Sequence, residues 1–215
     1  MKPSAVLFDC DGVVVDSEAI AFALLGDELG QAGLMLDQES MPRLFLGSTV
    51  AELYRKACDL GADLPDDWVS SFYERLYARL RLGVPLVPGI TAVLKRLAAE
   101  GIAVAVGSNG SEEKLAITLG QHPDVRRAFG GHIYSGQTLG APKPAPDLYL
   151  FAARQLGADP ARCVVVEDSP TGARAARAAG MRCLGFAAKG GADALAAEGA
   201  EVFFKMSALP DLLGL

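Results

Sequence analysis

This 215-residue chain has little of several things that would otherwise point to a chemistry. It has four cysteines and two histidines. Cys10, Cys58, Cys163 and Cys183 lie far apart, with no Cys-x-x-Cys pair. A disulfide framework or a zinc site is therefore not expected, and the thiols read as structural ones in a reducing compartment. Cys10 has no His or basic neighbour in sequence to lower its pKa and reads as a small packing residue. His122 and His132 match no motif and read as structural. Positive charge is also scarce: 20 Lys and Arg face 26 Asp and Glu, a formal net charge of −6, with no basic stripe. That argues against nucleic acid or an anionic membrane as the main partner. No apolar run approaches the ~18–20 residues needed to span a bilayer. Met1-Lys2-Pro3 runs straight into an apolar stretch, without the regions of a signal peptide, so a cytoplasmic location is expected. No internal repeat or low-complexity tract appears. What is present is apolar residues, 51% of the chain, enough for a substantial core. The length suits one large domain or a core domain carrying a smaller one.

The most informative stretch is Ala5–Ser17, AVLFDCDGVVVDS. Ala5-Val6-Leu7-Phe8 reads as a buried strand that stops on Asp9 and Asp11, followed by Gly12. Open α/β sheets place their ligands at strand ends. Asp-x-Asp-Gly alone can be turn chemistry. It also resembles a fragment of a calcium loop, but the upstream flank is strand-like and Val13 stands where a further polar ligand belongs. The other residues at strand ends decide between these readings.

Helices are predicted over Glu18–Gln31, Asp37–Leu44, Thr49–Leu60 and Asp66–Leu82. Asp16 or Ser17 is the cap expected for the first, Ser48 for the third, and the acids after Pro65 for the first turn of the fourth. No alternating strand lies between residues 17 and 82. One strand followed by about sixty-five helical residues is the pattern of an inserted helical domain. Gly83–Gly89, rich in Pro and Gly, suits a return linker, and Val13–Asp16 an outgoing one. Two adjacent linkers would let the insert move as a lid over the Asp9 site. The expected division is residues 1–15 with 86–215 as core and 16–85 as helical insert.

Beyond Gly89 helices and strands alternate. Helices are expected over Ile90–Glu100, Glu112 to about Gln121 (capped by Ser111), Pro146–Leu156 and from Pro170 on, with Gly180 past the end of the last. Strands are expected at Ile102–Gly107, His132–Ser135, Arg162–Glu167, Arg182–Phe186 and Glu201–Phe204. Helical crossovers between strands are what a parallel sheet requires. The fold class is α/β, a three-layer, doubly wound parallel sheet with a helical insertion.

Right-handed crossovers put the carboxyl ends of parallel strands on one edge. That edge would collect Asp9 and Asp11, Ser108 and Asn109, Lys143, and Glu167 and Asp168, a set suited to phosphoryl transfer. Asp9 and Asp168 can offer carboxylates to Mg²⁺, and Asp11 a backbone carbonyl. A carboxylate can attack phosphorus, while a metal and a lysine shield the charge that would repel it. Each group has a plainer reading. Ser108-Asn109-Gly110 can be a turn and helix cap, Lys143 a solvated loop lysine, and Glu167-Asp168-Ser169 a cap for the helix at Pro170.

Asp9-Cys10-Asp11-Gly12, a strand ending in Ser108, Lys143 within Lys-Pro-x-Pro, and Val-Val-Val-Glu167-Asp168 resemble the four ordered motifs of the haloacid dehalogenase-like hydrolases. The insert resembles the small helical cap of the subgroup of β-phosphoglucomutase and sugar-phosphate phosphatases. The resemblance implies Asp9 as nucleophile and Asp11 as general acid and then base. It also implies Ser108 and the backbone of Asn109 on the phosphoryl oxygens, with Lys143 neutralising phosphate and Asp9. Asp168, with Asp9 and Asp11, would hold Mg²⁺, and Glu167 would support the metal. The prolines beside Lys143 are expected to keep that segment extended. A dehalogenase normally lacks the second acid, so Asp11 favours phosphate chemistry. Relatives of the mutase carry a His where Ala21 stands and cationic residues where Leu46 and Val50 align, with Arg43 and Arg55 only nearby. The implied activity is a Mg²⁺-dependent phosphatase for a small phosphorylated metabolite, a sugar phosphate, in a monomer or weak homodimer. A phosphosugar mutase and a non-catalytic phosphometabolite-binding protein stand as alternatives.

Overall fold

A computed structural model describes residues 2–37, 40–45 and 49–215; the side chains of Pro42 and Arg43 also fall outside the described set. In chain order the elements are β1 (Ala5–Phe8), α1 (Glu18–Gln31), α2 (Ser40–Phe45), α3 (Val50–Asp59), α4 (Trp68–Arg81), α5 (Ile90–Ala99), β2 (Ala103–Ser108), α6 (Glu112–Gly120) and α7 (Pro123–Ala128). Then come β3 (Ile133–Ser135), α8 (Gly136–Leu139), α9 (Asp147–Gln155), β4 (Cys163–Glu167), α10 (Pro170–Ala178), β5 (Arg182–Phe186), α11 (Ala192–Ala197), β6 (Glu201–Phe203) and α12 (Leu209–Leu212). Two compact units result: Met1–Asp16 with Pro85–Leu215, and Ser17–Val84.

The larger unit is built on six parallel strands in the order β3-β2-β1-β4-β5-β6. Every side chain of β1 is fully buried, as a central strand covered on both faces requires. On one side of the sheet Ala5, Leu7, Val165, Tyr149, Ala152, Ala173 and Ala176 share a core cluster. The order reverses direction between β1 and β4, the switch point at which an open α/β sheet forms its ligand crevice. Phe8 is in register with Val106 of β2 and Val166 of β4, so the residues after it emerge beside the ends of both neighbours.

The loop after β1 turns back on itself: Val14 and Val15 both donate from N–H to the Cys10 carbonyl, and Gly12 N–H donates to Val15. The two chain passages toward the helical unit are paired. Asp16 N–H donates to the Pro85 carbonyl at 2.8 Å, Val87 N–H to the Val14 carbonyl at 3.0 Å, and Val15 bridges Leu86 in antiparallel fashion.

The smaller unit contains α1–α4. Leu24, Leu25 and Leu29 of α1 and Trp68, Phe72, Leu76 and Leu80 of α4 are buried at helical spacing. Glu28 joins the two helices, accepting from Trp68 Nε1 at 2.7 Å and from Arg75 Nε at 2.5 Å. The predicted cap Ser48 lies outside the described residues, as does Leu46. Thr49 caps α3 instead, in a capping box with Glu52. Ser17 is at the N-cap position of α1 without a side-chain cap bond, and α4 begins at Trp68, with no acid in its first turn. The short helices α7, α8, α11 and α12 were not predicted; each has six residues or fewer, too few for a readable period.

Candidate active site

Asp9 follows β1 directly, and its N–H donates to the Val166 carbonyl at 2.9 Å, which continues the ladder with β4 for one more residue. Its carboxylate accepts from Lys143 Nζ. The same ammonium donates to Glu167 Oε1 at 2.6 Å. Lys143 is only 6% exposed and Glu167 0%, so the solvated-loop reading of Lys143 fails. Residues 134 positions apart in the chain thus form one buried ion cluster at the β1/β4 switch point.

Glu167 is fully engaged within the protein. Oε1 also accepts from the Tyr149 hydroxyl at 2.7 Å, while Oε2 accepts from the N–H and the hydroxyl of Ser169. Its close neighbour is Gly172, where a Cβ would come within 1.7 Å of Oε1, so only glycine lets the carboxylate lie against the first turn of α10. Ser169 caps α10 by accepting from Gly172 N–H at 3.0 Å. The capping reading of this segment therefore holds for Ser169, while Glu167 reaches back to Lys143.

Asn109 acts through its side chain. Its amide nitrogen donates to the Lys143 carbonyl at 3.0 Å and its amide oxygen accepts from Lys143 N–H at 2.8 Å. This two-way clamp fixes the lysine's backbone beside the end of β2. Lys143 and Pro144 are the central residues of a turn closed by Ala145 N–H on the Pro142 carbonyl, with a cis Lys143–Pro144 bond. The expectation of an extended segment is thereby corrected: a cis proline at the third position belongs to a tight turn. Ser108, at the end of β2, is buried, and its Oγ accepts from Gly110 N–H at 2.9 Å.

Asp11 meets a residue the sequence did not single out: Lys114 Nζ lies 2.8 Å from Asp11 Oδ1. Asp168 meets the loop of the two acids at Gly12, where φ is +76° and a Cβ would lie 1.8 Å from Asp168 Oδ2. Tyr149 is the second residue the sequence reading missed; its ring lies under Lys143 Nζ, 4.9 Å from the centroid. Each had a faint signal. Lys114 is a cation in the first turn of α6, where the helix dipole disfavours it, and Tyr149 is a polar aromatic among the buried residues of α9.

Desolvation dominates the electrostatics. Burial pushes the Asp9 carboxyl up to about 7; Lys143 opposes this, and Glu167 and Asp11 add to it. Burial works against a charged Lys143, but Asp9 and Glu167 outweigh it and raise its pKa. Burial, with Asp11 and Asp9 adding to it, pushes the Cys10 thiol well up, so Cys10 is no nucleophile. Counted formally, Asp9, Asp11, Glu167 and Asp168 face Lys114 and Lys143, an excess of two negative charges. No group of three or more His, Cys, Asp and Glu side chains forms a metal cage among the described residues. The oxygen donors expected to serve a metal are the carboxylates of Asp9 and Asp168 and the Asp11 carbonyl. This oxygen-only set beside an excess of negative charge fits a hard divalent cation that keeps some of its waters.

The sequence profile of the haloacid dehalogenase-like hydrolases matches residues 3–180. The chain belongs to that family. The solved structure of a haloacid dehalogenase-like protein of unknown function from Agrobacterium tumefaciens is 36% identical, with a TM-score of 0.89, covering 98% of this chain and 97% of its own. A haloacid dehalogenase family hydrolase from Deinococcus radiodurans, solved with bound phosphate and sodium, is 35% identical with a TM-score of 0.86, covering 99% and 96%. The 6-phosphogluconate phosphatase of Escherichia coli is 29% identical over 210 residues, 97% of this chain and 93% of the relative. The chain spans about half the length (48%) of another relative, the bifunctional riboflavin kinase/FMN phosphatase of Arabidopsis thaliana, to which it is 28% identical over 187 residues, 84% of this chain. In this haloacid dehalogenase-like hydrolase the sheet thus has its acids and lysines at the switch point, and no described helix is long and apolar enough to cross a membrane.

Proposed function

We propose that this haloacid dehalogenase-like hydrolase is a Mg²⁺-dependent phosphatase acting through an aspartyl-phosphate on Asp9. The observation that carries the reading is the buried cluster in which Lys143 bridges Asp9 and Glu167, beside a second acid, Asp11. In the first half-reaction a carboxylate oxygen of Asp9 attacks phosphorus and forms the new P–O bond. The bond to the leaving oxygen breaks with its electron pair, and that oxygen takes a proton from the Asp11 carboxyl. In the second half-reaction water attacks the phosphoryl group and gives a proton to Asp11. The bond to Asp9 breaks, and phosphate departs.

Lys143 neutralises the nucleophile and the incoming phosphate, and its ammonium is held in place by Glu167, by the Tyr149 ring and, through its backbone, by Asn109. Ser108 and the Asn109 N–H are assigned to the phosphoryl oxygens. Asp9, Asp168 and the Asp11 carbonyl would hold Mg²⁺, with Glu167 acting through Lys143. When bound, the metal supplies charge compensation to the phosphate and the nucleophile. Helices α1–α4 are assigned the role of a lid, served by the paired passages at Val14–Asp16 and Pro85–Val87. The substrate class is a small sugar phosphate, as the name of the 6-phosphogluconate phosphatase relative suggests. Ala21 offers no charge-assisted bond to a second phosphate, which favours hydrolysis over a mutase.

The test is a panel of phosphorylated metabolites and p-nitrophenyl phosphate with Mg²⁺, run on the protein and on Asp9→Asn. Turnover that is abolished in the variant, with its circular dichroism unchanged, is the expected result. Equal turnover in both proteins would sink the mechanism, and no turnover of any ester would sink the phosphatase reading.

A further inference from the structure

Lys114 is in an unfavourable place for a cation. It is the third residue of α6, after Glu112 and Glu113, in a turn where the helix dipole favours acids. Its backbone is nevertheless firmly held. Lys114 N–H donates to the Ser111 cap at 3.1 Å, and its carbonyl accepts from Thr118 Oγ1 at 3.0 Å. The side chain runs over Gly110: a Cβ there would lie 3.3 Å from Lys114 Cδ and 3.2 Å from Ser108 Oγ. The stem therefore passes beside Ser108 at the end of β2, and the ammonium crosses to Asp11 Oδ1 on the loop after β1. Local rules of this kind are broken at functional or strained sites.

The two lysines divide the two acids between them. Lys143, from the turn that Asn109 clamps beside the end of β2, takes Asp9, and the side-chain amine of Lys114, from the helix after β2, takes Asp11. A carboxyl that must deliver a proton to one particular oxygen needs its torsions set before the substrate arrives, because proton transfer depends on hydrogen-bond reach. We propose that Lys114 is a positioning residue that aims the Asp11 carboxyl at the leaving oxygen, and so controls how poor a leaving group the enzyme can expel. This rests on the phosphatase reading above.

The experiment compares kcat/KM for p-nitrophenyl phosphate, whose leaving group hardly needs a proton, with that for phenyl phosphate, whose leaving group does. This parameter reports the steps through phosphoryl transfer to Asp9, not the later hydrolysis. Lys114→Met is expected to lower kcat/KM for phenyl phosphate about tenfold more than for p-nitrophenyl phosphate, a fraction of what a general acid contributes. Asp11→Asn should show a wider split in the same direction. Adding Lys114→Met to it should change the phenyl ester by less than about threefold, since the two residues act as one unit. Lys114→Arg should abolish most of the split. Should Lys114→Met fail to fold, Lys114→Gln takes its place in the same comparison. An equal fall on both esters, or a double variant whose losses simply multiply, overturns the proposal and makes Lys114 a direct phosphate ligand or a structural residue. If the wild-type protein cleaves neither ester, or if Asp9→Asn leaves turnover intact, the phosphatase reading itself falls, a result distinct from cleavage that depends on Asp9 but shows no split.

Discussion

The two units of this chain each contain a prominent carboxylate cluster, and the clusters are of opposite kinds. In the helical unit Glu28 meets Arg75 and Trp68 Nε1; one negative charge faces one positive charge, and the remaining partner is a neutral donor. In the sheet unit four carboxylates face two lysines, and Asp9 is held where its own charge is disfavoured. The first cluster joins α1 to α4 and is complete. The second carries an excess of negative charge, which the proposed divalent cation would offset. A balanced polar cluster is built for stability, whereas an unbalanced one stores a preference for ligand.

Three variants would break or sharpen that contrast. The largest expected effect is for Lys143→Met, which leaves Asp9 and Glu167 buried without a cation. Removing one partner of a buried ion cluster costs about 3–5 kcal/mol, so urea melts should show a collapse of stability along with lost turnover. If stability is unchanged, the cluster is not the buried ion cluster described.

The next effect is on pH dependence. Burial raises Asp9 from an ordinary 3.8 to about 7 in the folded protein, so between those values the folded state binds a proton that the unfolded state does not. Asp9 therefore contributes a stability that is full below about pH 4, falls as pH rises and is lost above about 7. Measured without metal, Asp9→Asn should gain on the wild type across that window, on the order of a few kcal/mol by pH 8. Mg²⁺ should raise the Tm of the wild type at pH 8 and that of Asp9→Asn much less. A difference between the two proteins that does not vary with pH would contradict the assignment.

The smallest effect belongs to the balanced cluster. Glu28→Ala frees Trp68 Nε1 and the half-exposed Arg75, a loss of roughly 1–2 kcal/mol. Hydrolysis of p-nitrophenyl phosphate per folded molecule should be unaffected. A change in its pH profile would mean the two clusters are coupled.

Much of the fold was legible in the chain because parallel strands buried on both faces are written as unbroken apolar runs. Ala5–Phe8 and Cys163–Glu167 stand out between turn residues for that reason, and so does Ala103–Ser108. Helices with a cap and a period, such as Glu112–Gly120 behind Ser111, were equally readable. The helix boundary near residue 66 was less so, since Asp66 and Asp67 both stood as first-turn acids while α4 begins at Trp68, which packs against Phe72 with ring centroids 4.7 Å apart.

At the site, the residue types and their order were determined by the sequence alone: acids at the ends of two strands, a hydroxyl at the end of a third and a lysine between prolines. Which of them touch was decided only by the strand order β3-β2-β1-β4-β5-β6, because pairing β4 directly against β1 is a long-range choice with no local signal. That order placed Lys143 between Asp9 and Glu167, drew Tyr149 beneath it and made Asn109 a clamp on its backbone. It also brought Lys114 across to Asp11, a contact between residues 103 positions apart that no spacing rule anticipates. Local chemistry is written in short stretches of chain, but burial and pairing arise only when distant stretches share a sheet edge, and these two properties give the acids at this site their character.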